Sequence, residues 1–266
     1  MNTTATPSSS TRRAMLRFVQ GALPFVVLIV AWILAPRFLS YPAYVLPSID
    51  SVAQRVVDTT LDLSLPTYTA LSLLRLFSGL VIGIAISVPL AVAIALNRHV
   101  SDLMLPLLAF LQSIAGIAWI PLAIIWFGIG NGAVVFVIAN IIFFSMIYNT
   151  VLGIQSIPLT LRRAVRAHGG SGLQMLTELI IPGALVQIIL GLRTSVALGW
   201  RALVAAEMLA GTNGLGYMTM EAVQWYRTDT VIMGMLLVGI LWIAIDRLLF
   251  LPLEKATLVR WGIVQR

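Results

Sequence analysis

QSIPLTLRRAVRAHGGSGLQMLTELIIP, residues 155–182, is a long polar interruption between two apolar runs. It holds Arg162, Arg163 and Arg166, and a glycine pair, Gly169-Gly170, in its middle. Leu159 to Ala167 has the composition of one short helix, with those arginines on a basic side and Leu161, Ala164 and Val165 on an apolar one. The glycines break it, and Gly172 to Ile181 starts a second helix, with Pro182 at the entry to the next apolar run. Helix, glycine turn, helix is a compact protrusion rather than a slack tether. A loop that only sets topology would carry the same charge, so both readings stand on the residues alone.

The rest of the 266-residue chain is apolar: 59% hydrophobic, 10% charged, mean hydropathy +0.98. Soluble domains carry about 25% charged residues, so this chain reads as an all-α polytopic membrane protein. A spanning helix needs about 20 mostly apolar residues. Six stretches qualify: 18–36, 69–96, 103–127, 132–154, 179–206 and 230–250. Residues 1–17 read as a disordered cytoplasmic tail, 18–250 as the transmembrane domain with its loop at 155–181, and 251–266 as a basic tail, with Trp261, anchored on membrane lipid. Arg12, Arg13 and Arg17 precede the first apolar run, which is longer than a signal-peptide core and lacks an A-x-A-like site, so it reads as an uncleaved span. With six spans, eleven of the seventeen basic residues fall inside and three outside; Arg75, Arg193 and Arg201 lie within spans. The positive-inside rule then puts the amino terminus and the 155–181 loop in the cytoplasm. The net charge of +7 is that bias, not a nucleic-acid footprint. Between the first two spans, Ile49, Val52, Val56, Val57 and Leu61 recur at helical spacing behind Ser48, a candidate N-cap.

Several spans carry residues that lipid does not tolerate: Pro89; Pro106, Gln112, Ser113, Gly116 and Pro121; Asn140 and Asn149; Trp200-Arg201 and Glu207. They line a path or bond helix to helix. Gln112, Ser113, Trp119, Asn140, Asn149, Trp200, Arg201 and Glu207 are the path candidates. Arg201 and Glu207, six residues apart, do not face each other on one helix; Gln112, Asn140 or a second copy are the candidate partners. Trp126 reads as an interface anchor, and GTNGLGYM after Glu207 as a tight outer turn or gate. There is no cysteine, His99 and His168 stand far apart, and the dipeptide Gly-Lys of a P-loop does not occur. No cofactor or metal is expected on this chain, nor an enzyme's catalytic set.

Several segments resemble the membrane subunits of bacterial ABC importers, in the nitrate/sulfonate/taurine branch: LPSIDSV, SLLRLFSGLVIGIAISVPLAV, WIPLAIIWFGIGN, ALGWRALVAAEMLAGTNGLGYM and RLLFLPLEKATLVRWG. The 155–182 stretch is similar to that family's E-A-A-x3-G-x9-I-x-L-P loop. Arg163-Ala164-Val165, Gly169 and Leu179 to Pro182 align without a gap. Arg163 stands in place of the Glu and Val165 in place of the second Ala. The resemblance implies a type I importer permease working as a homodimer in the bacterial inner membrane. It also implies two ATPase subunits holding ATP and Mg inside, and a periplasmic or lipid-anchored solute-binding protein outside. Arg163, Ala164, Val165, Gly169, Gly170, Ser171 and Pro182 would form the element that docks on the ATPase. Sulfonate, taurine and nitrate are the leading substrates, with a heterocyclic or aromatic solute as the alternative. A rival class, an ion-coupled secondary transporter, needs intramembrane acids, for which only Glu207 and Asp246 qualify.

Overall fold

The computed structural model describes residues 23, 24, 26–35, 42 and 44–254. The expected tail 1–17 and residues 255–266, with Trp261, lie outside them. Secondary structure among the described residues is helical: α1 (Val26–Ala35), α2 (Ile49–Leu61), α3 (Ser64–Leu96), α4 (Arg98–Ser113), α5 (Ile120–Phe127), α6 (Asn131–Gln155), α7 (Leu159–Ala167), α8 (Gly172–Gln174), α9 (Ile181–Ala210), α10 (Leu215–Gln224) and α11 (Thr228–Ile245). Four rods are long and apolar enough to cross a membrane: Ser64–Leu96, Asn131–Gln155, Gly172–Ala210 and Thr228–Glu254. A fifth crossing arises only if α4 and the bent segment after it count as one. The sixth expected span, 18–36, is described in part, as the ten-residue α1.

α6 is the centre of the bundle. It is apolar all round, as a helix enclosed by others must be, with Val134, Ile138, Ile142, Met146 and Ile154 at most 1% exposed. α3 packs on one side of it and α9 on another. Small residues set the approach. A Cβ on Gly79 would come within 2.6 Å of Ile138, and one on Gly83 within 2.8 Å of Ile142; Gly199 of α9 meets Ile142 from the far side. Gly83→Leu should therefore force α3 off α6 and cost about 1–3 kcal/mol of overpacking. The midpoint of thermal aggregation of the purified chain in detergent would report it; an unchanged midpoint would contradict this packing.

Ser48 caps α2, its hydroxyl accepting from the N–H of Ser51 at 3.2 Å. Asp62 opens α3, its carboxylate accepting from the N–H of Ser64 at 2.9 Å; the Ser64 hydroxyl and N–H hold that carboxyl below its ordinary range. Pro89 and Pro106 lie inside continuous helices, α3 and α4.

Two expectations are corrected. The run 103–127 is not one straight span. α4 stops at Ser113, Ile114 and Ala115 are extended, a 3-10 turn follows at Gly116–Trp119, and the two halves bend by 89°. Pro121 sits in the first turn of α5, the position a helix accepts without losing a hydrogen bond. The second correction concerns Pro182, which is not a boundary. α8, a π-helical stretch at Met175–Ile180 and α9 run on as one 39-residue rod through it.

Candidate functional site

Three sets of residues stand out, at the two ends of the bundle and between them. At one end α6 runs into α7. Val165 of α7 packs on the cluster of Ile154, Ile157, Met175 and Ile180, which fixes α7 against the foot of the long rod. Arg162 folds back to donate to the carbonyl of Ile154. Gly169 adopts φ +76, a left-handed conformation suited to glycine. Gly170 is pressed on α7: its N–H donates to Val165 O at 3.0 Å, and a Cβ there would lie 2.8 Å from that oxygen. Ser171 and Gln174 form a reciprocal capping box that starts the long rod. Ala164, Val165, His168, Gly169, Gly170, Gln174 and Glu178 line a notch of about 420 Å³ between the two helices. Arg163 and Arg166 are exposed and make no ion pair among the described residues. Six of the seven expected docking residues are thus brought together in a tight turn, and Pro182 lies further along the rod.

Between the ends, Gln112 and Ser113 are exposed where α4 breaks, and the 3-10 turn that follows packs on both α6 and α9. Ser113 bonds its own helix at Phe110 O, 2.6 Å. Trp119 stacks edge-on against Phe136, and its indole N–H is buried without an acceptor, as is that of Trp200. Trp126 is 56% exposed and also meets Phe136 edge-on. Asn140 is half-buried, while Asn149 closes onto its own helix at Ser145 O, 2.8 Å, with Gly191 of α9 close against it. Arg201 is exposed nine residues before the end of α9 and has no ion-pair partner among the described residues.

At the opposite end Glu207 does not face an open path. It is fully buried and pairs with Arg75 of α3, 2% exposed, at 2.6 Å. The partners offered from the sequence, Gln112, Asn140 or a second copy, are replaced by one on a helix 132 residues earlier. The pair is fully bonded. The Ser72 hydroxyl donates to the Glu207 carboxylate and accepts from the N–H of Leu215 at 3.0 Å; Gly216 N–H donates to Glu207 Oε2 at 2.9 Å. Arg75 donates to Asn131 Oδ1 at 2.8 Å, to Asn213 O at 2.7 Å and to Asn213 Oδ1. Position 214 suits glycine twice over: Gly214 has φ +106, and a Cβ there would strike Glu207 and Arg75. The segment Gly211–Gly214 is thereby clasped onto α3, and the first N–H groups of α10 receive acceptors from other helices. Reading the sequence noted Arg75 only as a charge within a span; charge at that depth was the available signal.

The second intramembrane acid is also taken. Asp246 receives Arg193 bidentately at 2.7 and 2.8 Å, and Glu254 takes the third arm of Arg193. An ion-coupled carrier needs an acid free to load and unload, and both acids are held by arginines.

An apolar bundle with a broken helix, an arginine on a span without an ion-pair partner among the described residues, and a helical loop projecting at one end defines the class of polytopic membrane proteins. Residues 79–251 match the family of binding-protein-dependent transport system inner membrane components, and the chain belongs to that family. It is 32% identical over 243 residues to a putative ABC transporter permease protein of Methanocaldococcus jannaschii, covering 90% of this chain and 89% of the relative. It is 33% identical over 211 residues to the taurine transport system permease protein TauC of Escherichia coli K12 (79% and 75%). It is 31% identical over 230 residues to the putative aliphatic sulfonates transport permease protein SsuC of the same organism (86% and 87%). The fold matches a chain of the inward-facing MetNI methionine ABC transporter, with TM-score 0.57 at 19% identity, over 74% of this chain and 98% of that one. The chain is therefore an ABC importer permease of type I architecture, a transport component rather than an enzyme.

Proposed function

We propose that this chain is the membrane subunit of an ATP-driven importer of small oxyanions such as sulfonates, taurine or nitrate. The observation that carries the anion reading is Arg201. It lies about 14 Å from the end of its helix, exposed and without an ion-pair partner among the described residues. Against lipid such a charge costs about 2.5–3.5 kcal/mol or more. A water-filled path closed by a second copy of the chain removes that cost and gives the cation a task. Gln112 and Ser113 at the helix break, with Trp119, Asn140 and Asn149 around the same three helices, supply polar and aromatic surface for it; Trp200, expected on the path, is instead 3% exposed within the core. Two relatives are named for taurine and for aliphatic sulfonates, solutes that carry a sulfonate group.

In this reading the α7 end is cytoplasmic, as is the amino terminus, and the membrane is the bacterial inner membrane. Two ATPase subunits dock there through Arg163 to Ser171 and hold the ATP and Mg. A solute-binding protein delivers the anion at the clasped end. Glu207 supports the path from behind rather than lining it. Arg201→Gln tests this in ATP-loaded vesicles reconstituted with the ATPase and binding protein. Taurine or nitrate uptake should fall by about 10- to 100-fold, the worth of one charge-assisted hydrogen bond. Unchanged uptake would remove Arg201 from the path.

A further inference from the structure

The inference concerns the face that α7 turns outward, and it rests on the docking role proposed above. Leu159, Arg163 and Arg166, at i, i+4 and i+7, share one face of α7. Leu159 is 64% exposed. α7 contains three arginines and no acid. Arg162 is spent on its own chain, at the Ile154 carbonyl, which leaves Arg163 and Arg166 presented outward.

The long rod decides what they face. Its 39 residues span about 58 Å, against a bilayer of about 40–45 Å with its headgroups. With Ala210 at the far membrane surface, about 15 Å of the rod stands clear of the lipid at the α7 end. Exposed Gln174, Thr177 and Glu178 on that projecting part agree with water around it. α7 packs on this projection at Met175–Ile180, about 3–10 Å beyond the headgroups on the same count, so its arginines stand on the water side of the lipid. There an acidic protein surface with an apolar seat fits two exposed arginines beside an exposed leucine.

We propose that Arg163 and Arg166 select the partner: the ATPase that this permease accepts carries acidic side chains along the groove that receives α7, with an apolar seat for Leu159. A groove matched to an acid at position 163 would meet this helix with like charge and refuse it.

The test uses the full-length chain in nanodiscs of neutral and of anionic lipid, with the P-loop ATPase that co-purifies with it. Wild type is compared with R163E/R166E and with a variant whose residues 159–171 are a Gly-Ser linker of equal length. The double reversal should bind the ATPase about tenfold or more weakly in both lipids. Acid-to-Lys changes in the ATPase groove should restore binding. Wild-type affinity and salt dependence in R163E/R166E, with binding lost in the linker variant, would overturn the selection role and leave docking intact. A loss seen only in anionic lipid would assign the arginines to headgroups and also overturn it. Full binding by the linker variant would overturn the docking role itself.

Discussion

Glu207→Ala, or Arg75→Met, should destabilise the bundle by about 3–5 kcal/mol, because each strands the opposite charge in a site closed to water. Both groups are almost wholly buried, at 0% and 2% exposure, and the loss extends beyond the pair. Without the carboxylate, Gly216 N–H and the Ser72 hydroxyl lose their acceptor; without the guanidinium, Asn131 and Asn213 lose their donor. The double replacement R75M/E207L should cost less than the sum of the two singles, since it leaves no bare charge. Denaturant or thermal unfolding of the four proteins in one detergent would close the cycle. Single replacements as stable as wild type would mean the pair is open to water and the clasp is not a structural element.

Gly170→Val should abolish ATP-driven uptake while the bundle stays folded. A Cβ at 170 meets the Val165 carbonyl at 2.8 Å, so α7 must swing off the foot of the long rod. The packing of α3, α6 and α9 is untouched, because none of its contacts runs through residue 170. Gly169 is the useful contrast. Its Cβ would have open space around it, and only its φ of +76 resists a side chain, so Gly169→Asn should be mild, asparagine tolerating that region. The sequence points to the glycine pair as one unit; the structure divides it, with the conformational constraint on Gly169 and the steric one on Gly170. Uptake assays beside the thermal midpoint of the same preparations separate the outcomes. Normal transport by Gly170→Val would show that the tight turn is dispensable.

What reading the chain could reach depended on the range of the signal. Apolar length marked the long helices, and the composition of 159–167 marked α7, because both are local properties. The Ser48 cap was legible for the same reason. The break at Ile114–Gly116 was hidden inside an unbroken apolar run, since hydropathy carries no information about direction. Pro121 was the clue, since the first turn of a helix takes proline without losing a hydrogen bond. Pro182 misled in the opposite sense, because a proline in a helix that begins with a capped turn ten residues earlier need not end it. The pairing of Arg75 with Glu207 crosses 132 residues and the five helices from α4 to α8, and no periodicity encodes it. Composition warned that deep charges need partners; only packing says which.

The 39-residue rod carries two of these features at its opposite ends. Its foot holds α7 and its far end bears Glu207. A stiff beam crossing the whole membrane makes the two faces one mechanical coordinate. A tilt of about 5° around its middle displaces each end by roughly 2.5 Å, given a length near 58 Å. That is enough to part the short hydrogen bonds of the Ser72–Arg75–Glu207 group. Work done at the foot is then felt at the segment Gly211–Gly214 without any chain of small relays. Linkage makes the traffic two-way: on the proposed docking at α7, whatever steadies that segment shifts the affinity of the foot for the docked partner by the same factor.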